Sequence, residues 1–206
     1  MFALAVGNGE SRSGIDLNQF KSRSIIVGCN AIQREVDAPH IVCCDRRMIE
    51  ESLDSPNTKN SFIYVRDDWF EHYWKKYKKR IRPVPELPYE GNTKADSPKH
   101  WGSGPFAVLI AADLEENLDT IVLLGFDLYP KNDSFNNIYK DTKNYNPSSA
   151  KPIDYSFWEY QIAKVFEHYE HRKFIVLNDR EWKMPKSWKR KNVSFQVLDS
   201  KNLTFA

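Results

Sequence analysis

Short apolar runs, each closed by small or polar residues, recur along this chain. The first, Phe2-Ala3-Leu4-Ala5-Val6, breaks at once into Gly7-Asn8-Gly9-Glu10-Ser11. Ser24-Ile25-Ile26-Val27-Gly28-Cys29 ends at Asn30, and His40-Ile41-Val42-Cys43-Cys44 ends at Asp45. Phe62-Ile63-Tyr64-Val65 ends at Arg66-Asp67-Asp68, and Thr120-Ile121-Val122-Leu123-Leu124 ends at Gly125-Phe126-Asp127. Lys173-Phe174-Ile175-Val176-Leu177 and the weaker Val193-Ser194-Phe195-Gln196-Val197-Leu198 complete the set. Unbroken, partly β-branched runs of this length predict strands buried on both faces, as in a parallel sheet.

Between the strands the period changes. Phe70, Trp74 (or Tyr73), Tyr77 and Ile81 recur every three to four residues and predict a helix over 68–81. Asp67 and Asp68 suit its positive end and the lysines of 75–79 its negative end. A second helix is predicted over 106–114, with Ser103 as cap and Pro105 in the first turn. A third is predicted over 155–169. Segments 82–101 and 129–153 read as long polar loops, a length at which loops are commonly functional. Strands alternating with helices predict a three-layer α/β/α Rossmann-like sandwich with a mostly parallel sheet, one nucleotide-binding α/β domain over residues 1–206. In such sheets ligands bind beyond the carboxyl ends of the strands, so loops 82–101 and 129–153 are expected over the site.

Composition narrows the classes. A net charge of +2 gives no bulk attraction to nucleic acid. The basic aromatic stretches 74–82 and 182–191 could stack single strands, but their aromatics also fit core faces, so nucleic acid is disfavoured. Cys29, Cys43 and Cys44 are odd in number and partly adjacent, unlike a disulfide framework. No apolar stretch approaches the roughly 18 residues of a membrane span, and the basic start and apolar region of a signal peptide are missing, so no export signal is expected. A cytoplasmic protein is expected, and a homo-oligomer is open.

The candidate chemistry sits at the strand ends. Gly7-Asn8-Gly9, Asn30, Asp45 and Gly125-Phe126-Asp127 supply groups able to bond ribose hydroxyls, phosphate or a base edge, although turns also favour such residues. Gly102-Ser103-Gly104 opens a helix, where free N–H groups and the helix dipole attract anions. Neither the dinucleotide fingerprint nor a P-loop is present. His40, Cys43 and Cys44 lack a second ligand pair for a metal, so none is expected, and no G-x-S-x-G elbow exists.

These motifs, in this order, resemble those of the bacterial sialyltransferases of glycosyltransferase family 42 and of the related 6-hydroxymethylpterin pyrophosphokinases. The resemblance spans residues 3–180 through short motifs. It implies a metal-independent enzyme that takes a nucleotide sugar, a CMP-sugar in particular, and transfers it to an acceptor that stays unidentified. Asn8 matches the family's G-N-G-P-S asparagine, with Glu10 in place of the proline. Asn30 follows Cys29 as in the family's C-N pair, and Asp45 stands where the family has asparagine. Ser103 matches the serine expected near the donor carboxylate, with Gly102 replacing threonine and Gly104 alongside. Gly7, Gly9, Gly125 and Asp127 fall around the nucleoside. Tyr129 and Tyr139 match two tyrosines that bond the departing phosphate, a role a phenol can play without a metal. Loop tyrosines packing on the surface would look the same.

One departure concerns the general base. The family places a histidine in the lid, whereas residues 130–160 contain none, the lid is shorter, and neither His40 nor His100 aligns. The alternatives are Mg²⁺-dependent pyrophosphoryl transfer from ATP, with Asp45 and Asp127 as available carboxylates, and a non-catalytic nucleotide-binding protein.

Overall fold

The computed structural model describes residues 1–114, 118–130 and 134–199. Eight strands form one sheet: β1 (Phe2–Val6), β2 (Ser24–Cys29), β3 (His40–Val42), β4 (Phe62–Val65), β5 (Ile81–Pro83), β6 (Thr120–Leu124), β7 (Lys173–Asn178) and β8 (Val193–Val197). Their order is β5-β4-β3-β2-β1-β6-β7-β8, and every pairing is parallel. The α/β sandwich expected from the apolar runs is therefore the fold.

Four helices cover the sheet: α1 (Arg46–Asp54), α2 (Asp67–Tyr77), α3 (Ser103–Asp113) and α4 (Ser156–His168). Side-chain alternation along each strand divides the interior in two. Ala3, Ala5, Val27, Ile121, Leu123 and Val176 meet α3 and α4 on one face. Leu4, Val6, Ile26, Val122, Leu124 and Leu177 face the opposite way, where Met48, Ile49 and Leu53 of α1 and Tyr73 of α2 close the second core. α3 is apolar on all sides and buried almost throughout, because it crosses β1, β2 and β3 beneath α4. Each such side chain withdrawn from water contributes about 1.5–3 kcal/mol.

Two elements depart from expectation. α1 is not predicted by the apolar pattern, and the helix predicted over 68–81 ends at Tyr77: Ile81 instead opens β5, which runs into the start of loop 82–101. Pro83 is tolerated there because β5 pairs only with β4 and leaves its other edge free. α2 turns Tyr73 inward and leaves Trp74 41% exposed under the Lys78 ammonium, so the inward stripe runs through Tyr73. In the 182–191 stretch, Trp188 is fully buried and Trp182 packs on it, on Phe195 and on Tyr129. Among the described residues no helix is long and apolar enough to cross a membrane.

Candidate functional site

Strand register assembles the site. β1 lies between β2 and β6, with Val6 opposite both Gly28 and Leu124. The chain order runs outward in one direction through β2–β5 and in the other through β6–β8, so the β1/β6 junction is the switch point of the sheet. Loops leaving β1 and β6 diverge there and open a crevice. The residues after β2 and β3 emerge beside them, since Cys29 pairs with Val42.

A cleft of about 550 Å³ occupies this end of the sheet. Gly7, Asn8, Gly9, Asn30, Asp45, Ser103, Gly104, Gly125 and Asp127 all line it. Both long loops contribute, through Lys99, His100 and Trp101 on one side and residues 135–137, 144–146 and 152–153 on the other.

Most backbone donors of the first loop are spent within the protein. Gly7 N donates to Leu124 O and Gly9 N to Gly125 O, both at 2.8 Å. Glu10 N donates to Asn136 Oδ1 at 2.8 Å and Ser11 N to Asp127 Oδ2 at 2.9 Å. The glycines serve loop-to-loop contact: a Cβ on Gly7 would stand 2.3 Å from the Gly125 carbonyl oxygen, and one on Gly9 the same distance from the Asp127 carboxylate. Gly125 itself has φ +75°, a conformation glycine adopts without steric cost.

Asp127 is likewise a brace. Its buried carboxylate accepts from Ser11 N, from the Ser11 hydroxyl and from Asn178 Nδ2 at 3.2 Å. It ties the β1 loop to the ends of β6 and β7. Beneath the same loop lies Arg12, 1% exposed, whose Nε donates to Gly7 O at 2.6 Å. Its other nitrogens form a bidentate pair with Glu35 at 2.8 and 3.0 Å and reach Tyr139 Oη at 3.0 Å.

Neither tyrosine singled out from the sequence lines the cleft. The Tyr139 hydroxyl is spent on Arg12 and Glu35, and Tyr129 stacks edge-on against Tyr155 and beside Trp182. The phenol that does reach the cleft is Tyr145, whose Oη accepts from Asn8 Nδ2 at 3.2 Å. Burial raises its pKa far above the ordinary phenol value, so it stays protonated. Its ring lies 5.2 Å from that of Tyr139, so the two phenols stand side by side and only Tyr145 of the pair faces the cleft.

Asn30 and Ser103 form the opposite wall. Ser103 Oγ accepts from Cys44 N at 3.0 Å and donates to Asn30 Oδ1 at 2.9 Å. The Asn30 amide oxygen is thereby occupied. Asn30 also holds φ +53°, a strained position for a residue with a side chain. Ser103 is the first residue of α3 rather than its cap. Gly102 occupies the cap position with no side-chain bond to the helix, and Gly102, Ser103 and Gly104 all face the cleft. Gly102 is required by Trp158, whose Nε1 would lie 2.8 Å from a Cβ there.

The remaining wall is one the motifs do not announce. Arg47, Arg66, Lys99 and His100 all line it, with Asp45 the one carboxylate among them. His100 sits in a short turn, with its N donating to Ser97 O at 2.9 Å and its carbonyl accepting from buried Gln161 at 3.1 Å. Its ring meets the Phe157 edge at 6.3 Å. The cysteines are inert by contrast: burial pushes Cys29 up to about 12 and Cys44 up to about 11. Among the described residues no group of three or more metal-ligating side chains is drawn together.

Fold and site together define a parallel α/β protein with a cleft at the switch point of its sheet, lined by polar, cationic and apolar side chains alike. No family model, curated protein or solved structure matches the chain.

Proposed function

We propose that this chain is a metal-independent transferase that uses a nucleotide-activated sugar, of the kind linked to CMP, as donor. The observation that carries the reading is the convergence of Gly7–Gly9, Asn30, the uncapped start of α3 and Gly125 on one cleft at the switch point. Asn30 offers its amide hydrogens to phosphate or sugar, because Ser103 already holds its oxygen. The free N–H groups of Ser103 and Gly104 suit an anionic group of the donor. Tyr145, protonated and bonded to Asn8, replaces Tyr129 and Tyr139 as the phenol for the leaving phosphate. Gly7, Gly9 and Asp127 shape the wall rather than bond the ligand.

Transfer needs a base for the acceptor hydroxyl, and His100 is the cleft histidine among the described residues. Its ring nitrogen takes the hydroxyl proton as the acceptor oxygen bonds the sugar carbon. The sugar–phosphate bond breaks, and the nucleotide leaves with the electron pair. The pyrophosphoryl-transfer alternative asks Asp45 and Asp127 to share Mg²⁺. The Asp127 carboxylate is already bonded to Ser11 and Asn178, so it favours a bracing role over holding an ion.

The test is a thermal-shift panel of CMP, CMP-sialic acid, UDP, GDP and ATP, each with and without Mg²⁺. A ligand at about a hundred times its Kd adds about 2.7 kcal/mol, or about 5–10 °C for a domain of this size. CMP compounds are expected to give that shift without Mg²⁺. A response only to ATP with Mg²⁺ would sink the proposal, and CMP binding without any turnover of CMP-sialic acid would reduce it to a binding protein.

A further inference from the structure

The cleft has two chemically different halves. Beside β1 and β6 it is lined by glycine, asparagine, an internally bonded aspartate and the apolar Phe126, Leu128 and Phe135. Beyond β3 and β4 it carries three permanent cations. Arg47 stands in the first turn of α1, directly after β3, and Arg66 directly follows β4. Lys99 arrives from the loop before α3, and Arg66 Nη1 holds it there by donating to the Lys99 carbonyl at 3.1 Å.

These charges are not consumed by the fold. Arg66 makes one long contact with exposed Asp68, at 3.4 Å. Arg47 and Lys99 are exposed and have no ion-pair partner among the described residues. Three other cations near the cleft loops are paired: Arg12 with Glu35, Arg34 with Glu51 and Lys140 with Glu10. Against the three cations stand two carboxylates, Asp45 in the wall and Asp68 beside Arg66, so Arg47 and Lys99 keep the wall net positive. A concave surface with surplus charge of one sign concentrates ligands of the other.

We infer that the β3–β4 half of the cleft is the acceptor subsite and that it selects an anionic acceptor, a sugar bearing a carboxylate or phosphate held by Arg47, Arg66 and Lys99. The inference rests on the reading that the nucleotide occupies the β1–β6 half. Both kinds of anion share the chemistry of charge-assisted bonds to guanidinium and ammonium groups. His100 adjoins Lys99, so the anion and the hydroxyl to be deprotonated lie on one wall.

The experiment is calorimetric titration of the full chain with lactose, 3′-sialyllactose and galactose 6-phosphate, with and without saturating CMP. The same titrations are made on Arg47→Gln/Lys99→Gln, which alters two exposed side chains and is checked for folding by its melting temperature. At least one anionic sugar is expected to bind about tenfold tighter than lactose, and to lose about tenfold in the double variant. CMP affinity is expected to stay within about twofold. The carboxylate and phosphate arms identify which anion is preferred. Equal binding of all three sugars overturns the inference, as does an anionic preference that survives the double substitution. Competition between CMP and the anionic sugar, with both weakened in the variant, overturns the acceptor assignment and gives the cations to the nucleotide phosphate. Failure of CMP alone strikes the donor reading, while the anion subsite is still decided by the titrations without CMP.

Discussion

Asp127→Ala separates a brace from a ligand contact. The carboxylate accepts three hydrogen bonds, from Ser11 N, the Ser11 hydroxyl and Asn178 Nδ2, and is 7% exposed. Bonds to a charged acceptor contribute about 1.5–3 kcal/mol each, and an orphaned buried donor costs about 1–3 kcal/mol. The Ser11 hydroxyl can turn to water, whereas Ser11 N and the buried Asn178 amide cannot. A net loss of about 2–4 kcal/mol follows, or about 4–16 °C in melting temperature. Urea unfolding of the wild type, Asp127→Ala, Ser11→Ala and the double variant forms a cycle. Contacting partners should show a coupling of about 0.5–3 kcal/mol. CMP affinity in folded Asp127→Ala should fall because the β1 loop is released, and Ser11→Ala should lower it in the same direction by less. The reasoning is refuted if Asp127→Ala unfolds within about 0.5 kcal/mol of the wild type yet no longer binds CMP. That result would make the carboxylate a direct ligand group.

Other expectations test the surroundings of the site. Arg12→Met leaves the Gly7 carbonyl without its Arg12 donor and Glu35 without its counter-charge, with only Tyr139 still bonded to it, and should cost about 3–5 kcal/mol; Arg12→Met/Glu35→Gln should recover part of it in the same denaturant titration. Gly125→Ala places a Cβ 2.8 Å from Gly7 O at φ +75°, so a loss above about 2 kcal/mol is expected, and a neutral result would mean the two loops are looser than drawn. Asp96 accepts from Thr93 Oγ1 at 2.7 Å, Thr93 N at 2.8 Å and Tyr160 at 2.8 Å, and these bonds, the Thr93 hydroxyl foremost, hold its carboxyl below the ordinary 3.8 despite burial. The folded-state pKa is depressed, so this stabilisation is present above the unfolded value and is lost as pH falls through the folded one. Urea midpoints between about pH 5 and about pH 2 should drop less steeply for Asp96→Asn than for the wild type, and parallel curves would exonerate the residue.

The strands are legible because each is an unbroken apolar run buried on both faces, a pattern that needs no knowledge of partners. α1 is not legible in that way. Arg46-Arg47-Met48-Ile49-Glu50-Glu51-Ser52-Leu53-Asp54 offers three apolar residues, two of them adjacent, and its helix is decided by the core they meet. Ile81-Arg82-Pro83 is too short and carries a proline, so only pairing with β4 makes it a strand. In the site, Gly, Asn and Asp at strand ends are readable as turn chemistry. What they do is not, since Asp127 looks the same in sequence whether it meets a ribose or Ser11. Tyr139 and Tyr145 are likewise indistinguishable until Arg12, fully buried against the usual habit of arginine, claims one of them. The cationic wall escapes notice because Arg47, Arg66 and Lys99 come from three separate segments joined only by register and one backbone bond.

The position of β1 in the middle of the sheet has a consequence for how the chain folds. Its two neighbours, β2 and β6, come from opposite halves of the sequence, yet the same four residues, 3–6, pair with both. On a ribosome the first strand to emerge can close one edge early and must keep the other open until residues 120–124 arrive. Pairings so distant in sequence form slowly and expose a strand edge while they wait. The cleft opens where β1 and β6 meet, so a ligand that fits it also clamps the more distant of the two pairings that β1 makes.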